Sequence, residues 1–182
     1  NQRSILLTAV AVVVVGLGYM LYKQFVSTPR ETEASEKLSF ALTVFDEALN
    51  APTTAQRDSL FTLSLNGDKS HGGFLQVIKD YSSSNVAYYS AGMAYLQLNK
   101  YKEAVTHLDK FSSEDPILSA LALGNIGDAF VALKQPKEAM DYYKKAIDKS
   151  DNTLTAPIYM NKAALVAEEQ KNYKEALEYL EK

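Results

Sequence analysis

Three near-copies of one tetrapeptide constrain this chain more than any other feature. They are Tyr101-Lys102-Glu103-Ala104, Pro136-Lys137-Glu138-Ala139 and Tyr173-Lys174-Glu175-Ala176, and their alanines step by 35 and then 37 residues. A period of this length belongs to stacked helical hairpins, none of which can bury its apolar face alone. The similarity extends on both sides of each copy. Tyr88, Ala91, Gly92 and Tyr95 precede the first, and Leu108, Phe111 and Pro116 follow it. Leu123, Ile126, Gly127 and Phe130 precede the second, then come Tyr143 and Ala146; Met160, Ala163, Ala164 and Ala167 precede the third, then comes Leu180. A glycine inside a helix costs about 1 kcal/mol relative to alanine. Gly92 and Gly127 therefore predict close approach by a second helix, with Ala104, Ala139 and Ala176 as its small partners. Tyr95, Phe130 and Tyr143 are predicted to fill the core around these contacts. Turns are predicted at Asn99-Lys100, Lys134-Gln135-Pro136 and Lys171-Asn172. Asp115-Pro116 and Ala156-Pro157 are predicted to join one hairpin to the next.

This pattern resembles the tetratricopeptide repeat, which reads large-x2-apolar-Gly-x2-aromatic and then Ala, aromatic and Pro. The resemblance covers residues 85–182, divided as 85–118, 119–153 and an incomplete 154–182. It is weakest in the third unit, where Ala164 stands for the glycine and Ala167 for the aromatic; looser packing is expected there. The resemblance implies an all-α solenoid in which the first helix of each hairpin lines an inner groove. Helical spacing then places Val86, Tyr89, Met93, Leu96 and Gln97 on that face. The second unit adds Leu121, Gly124, Asp128, Val131 and Ala132, and the third adds Ile158, Asn161, Leu165 and Glu168. The expected groove is apolar at one end and mildly acidic at the other. Relatives that clamp a terminal carboxylate use inward Lys, Arg and Asn; here Asn161 alone fits and no inward Lys or Arg is expected. Such a groove suits an apolar helix or an unfolded segment, unless the N-terminal helices or a C-terminal extension already fill it.

The other end of the chain carries a different signal. Ser4 to Tyr22 is a run of 19 uncharged residues, and ten residues between Ile5 and Leu21 are Ile, Leu or Val. As a helix it nearly spans a hydrocarbon core of about 30 Å. Insertion at roughly −0.3 to −0.6 kcal/mol per such residue gains several kcal/mol. Tyr19, Tyr22 and Lys23 stand where an aromatic belt and a snorkelling lysine belong. A cleaved signal peptide is the competing reading; its apolar region is shorter, about 7–15 residues, and Gln24-Phe25-Val26-Ser27 is a poor cleavage context. Residues 1–26 are thus expected to form an N-terminal transmembrane helix, with Thr8, Ala11 and Gly18 as a small-residue contact face. Arg3 against Lys23 and Arg30 does not decide its orientation. The chain begins at Asn1 rather than Met and stops within a second helix, so further sequence is expected at both ends.

Between anchor and repeats, residues 27–36 are polar and read as a linker. Residues 37–84 read as a divergent helical layer covering one end of the solenoid. Leu38, Ala41, Leu42, Phe45, Ala48 and Leu49 have helical spacing, further helices are expected over 54–65 and 74–81, and a loop over 66–73. Chemistry is sparse. The formal net charge of −3 and the lack of a Lys/Arg cluster argue against nucleic acid. No cysteine is present, which excludes disulfides and thiol chemistry. Neither of the two histidines, His71 and His107, has a catalytic or metal-binding partner at a suitable spacing. The expectation is a non-enzymatic protein without cofactor, metal or small-molecule substrate.

One anchor, a short linker and a repeat solenoid is also the segment order of the ancillary subunit of the bacterial SecYEG translocon, which the chain resembles on that ground. That resemblance implies a single-pass protein of the bacterial inner membrane with its repeats in the periplasm. It also implies two partners, the translocon and a membrane-anchored periplasmic chaperone of the isomerase type. The alternative is an adaptor in another cell-envelope complex for secretion, division or wall synthesis.

Overall fold

The computed structural model of the chain describes residues 28–81, 84–149 and 154–181. The predicted anchor and its contact face of Thr8, Ala11 and Gly18 lie outside these residues. No helix of the described residues is long and apolar enough to cross a membrane. Three helices precede the repeats: α1 (Thr28–Leu49), α2 (Thr54–Asn66) and α3 (Phe74–Asp80). Three hairpins follow, α4 (Asn85–Gln97) with α5 (Tyr101–Leu108), α6 (Pro116–Ala132) with α7 (Pro136–Lys149), and α8 (Ala156–Glu169) with α9 (Tyr173–Leu180).

The segment expected to be a linker is helical from Thr28 onward. Its polarity is compatible with a helix, because Glu, Ala and Lys are strong helix formers. Pro29 sits in the first turn, where its missing N–H costs nothing, and no breaker intervenes before Asn50-Ala51-Pro52. The inner face of α1 supplies Ala41 and Ala48 to a core with Phe61 and Leu65 of α2, Phe74 of α3, and Ala91 and Ala94 of α4. The rings of Phe45 and Phe61 meet edge to face at 5.2 Å. The first three helices thus cover the near end of the first hairpin.

The loop between α2 and α3 folds back on itself. Gly67 has a φ of 74°, a left-handed value that glycine adopts at no steric cost. Asp68 Oδ1 accepts hydrogen bonds from the backbone N–H groups of Ser70 and His71, each at 2.7 Å. These bonds hold the Asp68 carboxyl below its usual range. The His71 ring stacks on Phe40 at 4.4 Å and its Nδ1 lies 3.1 Å from Asp68. His71 therefore pins this loop to α1.

Each hairpin turns by the same device. Asn99, Lys134 and Lys171 all have φ near the left-handed helical value, 57°, 57° and 61°. The following N–H groups reach back five residues, from Lys100 to Tyr95, Gln135 to Phe130 and Asn172 to Ala167, each at 2.9 Å. That is the Schellman closure of a helix end. The second hairpin then begins at a strong cap: Asp115 Oδ1 accepts from the N–H groups of Ile117 and Leu118, at 2.8 and 3.2 Å, and Pro116 opens the helix. We expect Asp115→Ala to lower stability by about 1 kcal/mol, read as a shift in the urea unfolding midpoint at unchanged slope.

Glycines receive the knobs that lock the hairpins. A Cβ on Gly92 would lie 2.5 Å from Leu108 of α5, and one on Gly127 would lie 2.5 Å from the Tyr143 ring of α7. The third hairpin solves the same problem with small residues. Ala164 and Ala167 of α8 are buried against Ala176, with Met140 and Tyr179 packed beside them. Tyr179 holds the position of His107 and Tyr142 in the other hairpins, so here it packs on alanines rather than on a first-helix aromatic.

Candidate protein-docking groove

The groove is built from the faces of α4, α6 and α8 that turn away from α5, α7 and α9. Its residues divide by exposure. Val86, Gln97, Val131, Asn161 and Leu165 stand exposed, together with Ala132, Ile158 and Glu168. Tyr89, Met93, Leu96, Leu121 and Asp128 are half-buried. Tyr89 is drawn toward the joint between the first two hairpins, its ring 5.0 Å from Phe111. Gly124 offers no open groove floor, because the Tyr159 ring lies over it and fills the place a Cβ would take.

Two polar contacts rung the first helices together. Asn125 Nδ2 donates to the sulfur of Met93 at 3.2 Å, joining α6 to α4. Lys162 Nζ donates to both carboxylate oxygens of Asp128, at 2.7 and 2.6 Å, joining α8 to α6. The same Asp128 accepts the phenol of Tyr143 at 2.7 Å. Asp128 is therefore matched by a lysine while Glu168 stands exposed, and the expectation of no inward lysine is corrected by Lys162. Asn125 and Lys162 each lie one residue beyond an expected groove position, Gly124 and Asn161. A helix turns 100° per residue, so two adjacent residues can share one broad face. That spacing is readable in the sequence; that Lys162 finds Asp128 across 34 residues is not.

Behind this face lies a stacked aromatic pair. Tyr143 and Tyr159 sit 6.2 Å apart and 19° from parallel, and Lys162 Nζ lies 5.7 Å from the centre of the Tyr159 ring. Burial first, and the Asp128 carboxylate second, push the Tyr159 phenol up to about 12. The same two causes push Tyr143 still higher. Both stay neutral at ordinary pH, and Tyr143 keeps the proton it donates. These groups fix the angle between the second and third hairpins and so the curvature of the groove.

The histidines play packing roles. His107 Nδ1 donates to the Glu103 carbonyl at 2.8 Å, and its ring lies 5.1 Å from Tyr95 and 6.4 Å from Tyr88. Among the described residues no cluster of His, Asp or Glu is arranged to hold a metal ion.

Comparison with known proteins agrees with the fold of stacked helical hairpins. Residues 89–153 and residues 156–182 each match a family model described as Tetratricopeptide repeat. The mouse (Mus musculus) tetratricopeptide repeat protein 23-like is 31% identical over 113 residues. That match takes in 52% of this chain, which spans 25% of the mouse protein's length. Among solved structures, MamA superposes with a TM-score of 0.61 at 16% identity, over 88% of this chain and 81% of that one. MamA 41-end from Desulfovibrio magneticus RS-1 gives 0.52 at 18%, over 79% and 91%. Pseudomonas aeruginosa pilF gives 0.52 at 15%, over 83% and 75%. At these identities the structural likeness is one of fold. Over residues 89–153 and 156–182, about half its length, the chain is a tetratricopeptide-repeat protein.

Proposed function

We propose that this chain is a membrane-tethered docking platform that binds protein partners through the shared face of α4, α6 and α8. The observation that carries this reading is the exposure of Val86 and Val131 on a face whose polar rungs are already paired. Around Val86 and Val131 such a surface gives an incoming segment apolar area to bury without stranding Asp128, which Lys162 matches. An apolar helix or an extended apolar stretch meets both conditions. Residues 4–22 supply the tether, on the strength of their length and lack of charge. On the further ground of segment order, the complex is the Sec translocon of a bacterial inner membrane. The repeats then face the periplasm and receive emerging chains or a membrane-anchored isomerase-type chaperone.

A photo-crosslinking residue at position 86 or 131, in membranes of the source cell, tests this directly. We expect crosslinks to translocon subunits or the chaperone, abolished by Val86→Glu combined with Val131→Glu at unchanged helicity. Crosslinks confined to division or wall-synthesis proteins would replace the translocon assignment. No crosslink from either position would remove the groove from the proposal.

A further inference from the structure

The first two hairpins close their turns differently. In the first, the Tyr101 ring is half-buried and its phenol donates to Asn99 Oδ1 at 2.7 Å. The second repeats this stretch 35 residues later, with Lys134 in the place of Asn99 and Pro136 in that of Tyr101. The proline ring is tied to its own backbone and cannot reach back over the turn. A cavity of about 230 Å³ opens there, lined by Val131, Lys134 and Pro136 of the second hairpin and by Val166, Glu169 and Gln170 of the third. It lies where the groove meets the turns, since Val131 borders both.

The walls of this cavity select a ligand chemistry. Val131, Pro136 and Val166 are apolar, and Val166 is 5% exposed. An apolar cavity of about 150 Å³ accepts benzene, so there is room here for a ring with a substituent. The rim is polar. Lys134 and Glu169 stand exposed, and neither has an ion-pair partner among the described residues. At the joint one hairpin earlier, Ala132 and Leu133 hold the places of Glu169 and Gln170, so the charged rim belongs to this joint and not to that one. A purely apolar occupant would strip water from these groups and return no hydrogen bond. A charged occupant would meet a like charge on Lys134 or Glu169. A phenol is neutral, fills the apolar walls with its ring, and both donates and accepts a hydrogen bond.

We propose that this cavity receives a tyrosine side chain of the segment docked in the groove, so that the partner supplies at the second turn the ring that Tyr101 supplies at the first. The assignment rests on the docking platform proposed above and names the residue type that anchors its partner. The ring lies between Val131 and Val166, with its hydroxyl among Lys134, Glu169 and Gln170.

N-acetyltyrosinamide, a neutral model of tyrosine within a peptide, tests the cavity on the full chain held in lipid nanodiscs. It should shift the methyl resonances of Val131 and Val166 saturably at millimolar concentration. N-acetylphenylalaninamide should bind at least about threefold more weakly, for want of the hydroxyl. Pro136→Tyr should abolish the shifts by closing the cavity from within. Tyrosine already holds that place in the other two hairpins, as Tyr101 and Tyr173, so the fold tolerates it. Glu169→Ala with Gln170→Leu, the residues of the earlier joint, should keep ring binding and reduce the preference for tyrosine. No shift at Val131 and Val166, or shifts that survive Pro136→Tyr, would overturn the proposal. Equal binding of the two amides would overturn the choice of tyrosine. In membranes, Pro136→Tyr should lower crosslinking from position 131 at least about threefold, as loss of an anchor residue does; an unchanged yield would show that the docked segment does not use the cavity. A parent chain without groove crosslinks would remove the docking reading, while the amide titration still decides the cavity, so the two fail separately.

Discussion

Replacing Tyr159 by alanine is expected to destabilise the folded chain by about 3–5 kcal/mol, the cost of deleting a large aromatic from a packed core. The ring is 3% exposed, lies over Gly124 and stacks on Tyr143. It packs the first helix of the third hairpin onto that of the second. The matching change on the other side should also destabilise. Gly124→Ala would gain about 1 kcal/mol on helix propensity alone. The new methyl would collide with the Tyr159 ring, and forcing extra volume into a filled core costs about 1–3 kcal/mol. The two effects are coupled, because removing the ring makes room for the methyl. The double variant should lose less than the sum of the singles by at least about 1 kcal/mol. Urea unfolding of the four proteins measures this, and strict additivity would show that the ring does not occupy the space above Gly124.

Asp128→Ala is the second large effect, expected at about 1–3 kcal/mol. It leaves the buried Tyr143 phenol without its acceptor, which carries most of the cost. The half-exposed pair with Lys162 adds about 0–1 kcal/mol. The same cluster sets an alkaline limit. An unfolded tyrosine loses its proton near about 10, whereas Tyr159 holds its proton up to about 12 and Tyr143 beyond that. Their contribution is complete below pH about 10. As pH rises, the unfolded chain releases protons that the folded chain retains. Stability then falls by about 1.4 kcal/mol per pH unit for each tyrosine, until its folded value is passed. The urea midpoint should therefore drop between pH about 10 and about 12, and Tyr159→Phe should flatten the drop. Because burial is the larger cause of both shifts, Asp128→Asn should shorten the pH range of the fall without abolishing it. An alkaline slope identical in Tyr159→Phe and the parent would count against burial of that phenol.

Repetition makes the three hairpins legible in the amino-acid sequence. Helix–turn–helix spacing, the knob-receiving Gly92 and Gly127, and the turns at Asn99, Lys134 and Lys171 all depend on residues a few positions apart. Local chemistry suffices there, because helix ends, caps and left-handed turns are decided within about six residues. The polar stretch after Thr28 defeats sequence reading for the converse reason. Polarity marks an exposed helix as readily as a linker, and nothing in 27–36 breaks a helix.

The candidate groove is legible only in outline. Its face follows from a 3.6-residue period, and Val86, Val131 and Leu165 do stand exposed on it. The period does not tell which inward residues meet one another. Asp128 and Lys162 are 34 residues apart and on different hairpins, and Tyr159 reaches Gly124 across 35. Such contacts depend on how far one hairpin rotates on the next, and that rotation is set by the fit of side chains across the joint. Sequence alone determined that paired helices stack in series. Tertiary packing decided how they curve and which charges cancel, because both depend on side chains that meet only across the joint between hairpins.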